Sequence, residues 1–213
     1  MLSVKNTSVM NFENAIRGAR NPMNSWKRMD SHTDENGNFV FGPNDLNLAV
    51  RLVTSGTDHR KFMRMIFVCT DVTAPIYWWK EYDTYKVATV ANSTSTMHKI
   101  ASKPFKMEDF STDHMTDSTK AFMETIVARL EEIRQKYKVT KAKEDWYDLI
   151  QLLPESYNQM RTISLNYETL FNIWHARKDH KLMEWHTFCD WIATLPYAKE
   201  LIMVEKEPEN PEA

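Results

Sequence analysis

The sequence predicts an α+β protein, a small sheet flanked by helices with one long helix among them, and three observations carry that prediction. From Thr119 to Lys138 the apolar residues Phe122, Ile126, Leu130, Ile133 and Tyr137 step by four, four, three and four, the spacing of one helix face. Two shorter segments, Phe62 to Thr73 and Tyr157 to Leu165, read as strands from their β-favouring residues. The chain holds only four glycines, Gly18, Gly37, Gly42 and Gly56, with no G-x-G-x-x-G and no G-x-x-x-x-G-K. That sets aside Gly-loop dinucleotide and P-loop folds, so any phosphate must be met by side chains and helix N-termini.

The remaining elements follow in order. Asn11 to Arg20 reads as a short helix ended by Asn21-Pro22, and residues 30–38 as a polar, mobile loop. Pro43 opens a second helix that Gly56 closes. Pro75 fits the first turn of a helix running to about Asp83. Residues 101–117 form a long polar connection, and Glu144 to Leu153 is a helix stopped by Pro154. Asn166 to about Lys178 and Leu182 to Leu195 make a helical pair broken at Asp179-His180. The expected organisation is one domain over residues 1–200 and an acidic, disordered tail over 201–213.

With 42% hydrophobic and 26% charged residues, the 213-residue chain has the make-up of a soluble globular protein. A net charge of −2 argues against nucleic-acid binding driven by overall charge. No apolar run approaches the ~20 residues that span a bilayer, and the N-terminus lacks the apolar core of a secretory signal. Cys69 and Cys189 read as reduced core residues, and together these features place the protein in the cytoplasm.

The densest chemistry lies between Ala74 and Met97. Ile76-Tyr77-Trp78-Trp79 is followed by the charged segment Lys80 to Lys86 and the hydroxyl-rich loop Asn92-Ser93-Thr94-Ser95-Thr96. Bulky apolar area beside groups that need partners suits a half-buried pocket wall, and equally an interface or core helix whose charges face water. Further on, Asn166 and Arg177 lie eleven residues apart, near one helix face, with Leu170 and Ile173 between them. They read either as ligand contacts or as a helix cap and a snorkelling arginine. His175, His180 and His186 crowd around Glu184 but form no H-E-x-x-H, so no metal is expected. No nucleophile–base set stands out, and no catalytic residue is assigned.

These stretches together resemble the flavin-dependent thymidylate synthases. Ala74-Pro75-Ile76-Tyr77-Trp78-Trp79-Lys80-Glu81 stands where that family has an Ala-Pro-apolar-aromatic run and Arg-Gln. Asn92 to Met97 stands at its Asn-Glu-x-Ser-Gly-Arg-Tyr loop, one register matching Asn92 and Ser95, the ungapped one placing Thr94 at the serine. Asn166, Asn172, Arg177, His180 and Glu184 resemble its C-terminal series, and Asn14-Ala15 with Arg17 and Arg20 its early Asn-Ala-Ala-Arg. The Arg-His-Arg signature is replaced by Thr84-Tyr85-Lys86, the Gly-Arg-Tyr is missing, and a family histidine falls at Arg64. Lys86 supplies only a point charge where the family has planar bidentate donors.

The resemblance implies a thymidylate-synthase-complementing-like fold. It further implies a homotetramer that acts on a pyrimidine deoxynucleotide with FAD, a reduced folate and NADPH. It assigns Glu81, Lys86, Asn92, Ser95 and Arg177 to the nucleotide, and Arg64, Tyr85, Asn166, Asn172 and His180 to the flavin. With the signature lost, a catalytically silent nucleotide-binding protein on the same fold is the alternative.

Overall fold

The computed structural model of the chain describes residues 2–205; the expected disorder of residues 206–213 concerns positions outside the described ones. In chain order the elements are β1 (Ser3–Met10), α1 (Phe12–Ala19), β2 (His32–Thr33), β3 (Phe39–Val40), α2 (Pro43–Thr54), β4 (Phe67–Pro75) and α3 (Ile76–Tyr82). They continue with β5 (Val90–Ser93), α4 (Thr96–Lys99), α5 (Asp117–Thr140), α6 (Lys143–Leu152), β6 (Asn158–Asn166), α7 (Tyr167–Arg177), α8 (Met183–Ala193) and α9 (Ala198–Leu201). Four strands form one sheet in the order β1-β4-β6-β5, and β2 pairs with β3 in a small antiparallel hairpin. The architecture is the α+β class that the sequence predicts.

Contacts gather the chain into two compact units. The first comprises residues 2–5, Asp71–Thr84 and Ala91–Ile163; the second comprises Asn6–Thr70, Tyr85–Val90 and residues 164–205.

In the first unit, α5 and α6 close over a core of Ile100, Phe105, Phe110, Met123, Val127, Leu130, Ile133 and Leu149. The long helix is where the sequence places it, and Leu130 and Ile133 of the expected stripe lie in the core with Ile126 and Tyr137 packed against it; only Phe122 turns away. Met123, Val127, Leu130, Ile133 and Arg134 face inward, while Phe122 is 66% exposed. Arg134 is buried because Glu131 receives it twice, Nε at 2.7 Å and Nη2 at 2.6 Å. Gln135 Nε2 and the Phe105 amide complete the acceptor capacity of Glu131. Arg134, more than the other donors, holds the Glu131 carboxyl down at about 2. A lowered carboxyl stabilises the fold above its ordinary value of 4.5, and that contribution is lost as pH falls through 4.5 towards about 2. Glu131→Gln is therefore expected to cost about 1–2 kcal/mol at neutral pH. In urea unfolding the gap between parent and variant should close in acid; a gap independent of pH would refute the pairing.

Trp78 and Trp79, read from sequence as a pocket wall, interface or core element, have no exposed surface at all. They are core residues of the first unit, and Trp78 stacks on Tyr82 at 5.3 Å.

The second unit centres on an aromatic cluster in which Phe12 meets Phe39, Tyr167 and Tyr197 at 5.4–5.7 Å. The loop expected at 30–38 contains part of the β2–β3 hairpin, whose turn rests on Asp34 accepting the amides of Asn36 and Asn38. Gly37 sits there at φ 82°, a conformation other residues rarely adopt. Phe62, expected to begin a strand, lies in a 3₁₀ turn over Arg60–Met65, and the strand itself starts at Phe67. β1 had no sequence signal, because its residues are nearly all exposed or half-buried and show no apolar alternation. Leu201 and Ile202, just past the boundary drawn at 200, are fully buried. Cys69 is half-buried and Cys189 buried, both as free thiols; burial, ahead of Asp190 and Asp179, pushes Cys189 up to about 12.

Candidate functional site

The first unit holds a cleft of about 770 Å³. Thr94, Ser95, Thr96 and Lys99 line it from the hydroxyl-rich loop and α4, with Tyr157 and Asn158 from the approach to β6. Ser3, Thr73 and Thr112 add hydroxyls, and Glu108 and Asp113 add carboxylates. Lys103 is paired with Asp109 at 2.6 Å, whereas Lys99 has no ion-pair partner among the described residues. One ammonium, a row of hydroxyls and an aromatic ring in a cleft of this size can hold a small polar ligand bearing a planar ring and an anionic group.

The loop on this cleft is anchored by the aromatic helix. Trp79 Nε1 donates to the Gln159 carbonyl at 2.9 Å, and Gln159 Nε2 donates to the Thr94 carbonyl at 2.8 Å. The Thr94 amide returns to Met160 O at 2.9 Å. Arg161 lies 4.3 Å above the Trp79 ring, holds both Asp83 oxygens at 2.9 and 3.2 Å, and donates to Gln159 Oε1 at 3.0 Å. Ser95 caps α4, accepting the His98 amide at 3.0 Å.

The second unit gathers a different set. Arg177, at the end of α7, donates from Nε to Tyr85 Oη at 3.0 Å, and its guanidinium lies 5.0 Å from the Trp185 ring. His180 approaches the same indole at 6.3 Å, and its Nδ1 accepts the Leu182 amide at 3.2 Å. Asn166 is the N-cap of α7: Oδ1 accepts the Thr169 amide at 3.0 Å while Nδ2 reaches Val87 O at 3.4 Å. Arg64 is ion-paired with Glu168, a carboxylate 3% exposed that also has Arg60 Nε at 3.8 Å. The hydrogen bond that Arg64 donates to Glu168, and the charge of that carboxylate, raise Arg64 above its ordinary value.

Of the residues assigned to the nucleotide, Ser95 alone lines the first unit's cleft. Asn92 is exposed on β5, Glu81 half-buried on α3, and Lys86 exposed in the loop after it. Tyr85, Arg177 and His180 do come together, around a Trp185 that sequence reasoning missed. Asn172 is exposed on α7. Also missed were Lys99, Tyr157 and Glu168; only the hydroxyl run beside Lys99 offered a sequence signal. Among the described residues no three His, Cys, Asp or Glu side chains gather as a metal set.

The residues assigned to a flavin are a poor fit for its pyrophosphate. Arg64 already carries a carboxylate, the Asn166 amide is engaged at both ends, and the Tyr85 phenol receives Arg177. The Glu168 carboxylate already balances the Arg64 charge through Nε and Nη2, which weakens the pull Arg64 can exert on a second anion.

No family model and no curated protein matches the sequence. Solved structures do match in fold. Thymidylate synthase X (ThyX) from Helicobacter pylori, crystallised with FAD and dUMP, superposes with a TM-score of 0.72 at 16% identity over 95% of this chain and 97% of that one. The UMP/dUMP methylase PolB from Streptomyces cacaoi, bound with 5-Br dUMP, gives 0.61 at 13% identity over 95% of each chain. At these identities the likeness establishes that this chain has the ThyX fold across nearly its whole length.

Proposed function

We propose that this chain is a nucleotide-binding protein of thymidylate-synthase-like fold that takes a pyrimidine nucleotide, deoxyuridylate first among candidates, into the cleft of its first unit. The observation that carries this reading is the convergence of Thr94, Ser95, Thr96 and Lys99 with Tyr157 on one cleft. Lys99 meets the phosphate, the loop hydroxyls hold phosphate or sugar oxygens, and Tyr157 offers a face to the base. Binding there asks for no flavin, and the internal pairing of Arg64 and Asn166 favours capture of the nucleotide over hydride chemistry.

A second reading is the flavin-dependent enzyme, a reductive one-carbon transfer to deoxyuridylate by a homotetramer using FAD, a reduced folate and NADPH. It is favoured by the fold shared with a protein crystallised with FAD and dUMP. One calorimetric titration with deoxyuridylate, run beside a visible spectrum after adding FAD, separates the two. The first reading predicts saturable nucleotide binding, weakened by about 1.5–3 kcal/mol in Lys99→Ala, the range for hydrogen bonds to charged groups. It also predicts no flavin uptake. A yellow protein whose spectrum changes on adding deoxyuridylate would establish the second reading, and no nucleotide binding would remove both.

A further inference from the structure

Away from both sets of residues, the second unit carries a smaller pocket of about 400 Å³ between the turn after α1 and helix α2. Three arginines line it, Arg20, Arg28 and Arg51, beside Ser25, Asn44 and Asn47, and none of its lining residues is acidic. The chain as a whole has a net charge of −2, so this is a local reversal of sign.

The walls are built. Arg20 is 4% exposed, with Nε at 2.6 Å and Nη2 at 2.5 Å from Asp45 Oδ1 and Nη1 facing Ser25 Oγ at 3.5 Å. Asp45 is fixed in turn by the Ser31 hydroxyl at 2.6 Å and by the amides of Ser31 and Asp30 at 2.9 and 3.1 Å. The Asp30 carboxylate takes the first amides of α2, from Asn44 at 2.8 Å and Asp45 at 3.0 Å. That approach depends on Gly42, since a Cβ there would lie 2.2 Å from Asp30 Cγ. The helix N-terminus is thus already occupied, and what remains for a ligand is side-chain chemistry. Asp45 balances Arg20; among the described residues Arg28 and Arg51 have no carboxylate partner, and both are exposed. Two guanidinium groups on one small pocket repel each other until an oxyanion lies between them.

We propose that this pocket binds a phosphate group, either inorganic phosphate or the terminus of a small phosphomonoester. Arg28 and Arg51 supply the planar, charge-assisted bonds, Asn44, Asn47 and Ser25 supply neutral donors, and Arg20 holds the wall. The proposal is independent of nucleotide binding in the first unit's cleft.

The test is a calorimetric titration with inorganic phosphate at neutral pH and constant ionic strength set by chloride, on Lys99→Ala protein, which removes the first cleft's own phosphate contact, and on the same protein carrying Arg28→Gln/Arg51→Gln. Both substituted arginines are exposed and unpaired, so the fold should survive, as far-UV circular dichroism would verify. Adding the two arginine substitutions to Lys99→Ala is expected to weaken phosphate binding at least about tenfold, the loss of a charge-assisted bond. Methyl phosphate should compete with phosphate for the same site, and whichever binds tighter identifies the source of the group. Equal affinity with and without the arginine substitutions, or no heat beyond the chloride control in Lys99→Ala protein, would overturn the assignment.

Discussion

Trp79→Ala is expected to destabilise the protein by about 3–5 kcal/mol, the range for truncating a buried tryptophan. The indole has no exposed surface and meets Trp78 at 4.9 Å and Tyr82 at 5.2 Å, edge to face. Truncation leaves a cavity, strips the Gln159 carbonyl of its donor and removes the ring beneath Arg161. Since Gln159 in turn holds Thr94, nucleotide affinity should fall with stability. Trp79→Phe keeps most of the volume but loses the N–H and part of the ring system, so about 1–2 kcal/mol is expected. Urea unfolding of both variants reads the difference; a loss below about 1 kcal/mol for alanine would contradict the anchoring role.

Asp45→Asn should have a comparable effect, about 3–5 kcal/mol, because it leaves the Arg20 guanidinium buried without a counter-charge. Burial by itself pushes Asp45 up. The Ser31 hydroxyl and amide, Arg20 and the Asp30 amide together outweigh it and leave the carboxyl below its ordinary 3.8. With a lowered folded value, the stabilisation is present above about pH 3.8 and is lost as pH falls below it. The parent should therefore converge on the variant in acid. Equal stability of the two at neutral pH would show that the pair contributes nothing.

What the sequence disclosed follows from how far apart the interacting residues are. The long helix and most of its inward face were legible because their signal is local; of the expected stripe only Phe122 lies outside the core. Phe122-Met123 and Ile126-Val127 are apolar neighbours, and both stripes share Leu130 and Ile133. Only packing chooses between such neighbours: it buried Met123 in place of Phe122 and set Val127 in the core beside a half-buried Ile126. Phe62 has high β propensity, but a 3₁₀ turn buries it together with Met63, so tertiary context overrode the local preference. Asn166 was readable as a cap because the amide it satisfies is three residues away. Arg64 was assigned to a cofactor from the resemblance alone, and its partner Glu168, 104 residues on, lay beyond any local pattern. The hydroxyl run at 92–96 stood out on composition, but that Tyr157 and Lys99 share its cleft is a consequence of the fold.

The most direct measurement of the central claim is a map of backbone amide shifts on titrating ¹⁵N-labelled protein with deoxyuridylate. The account predicts that the largest changes fall on Thr94, Ser95, Thr96 and Lys99, with Tyr157 and Asn158 following at the same ligand concentration. Saturable changes centred instead on Tyr85, Arg177 and Trp185, or none at any concentration, would contradict it.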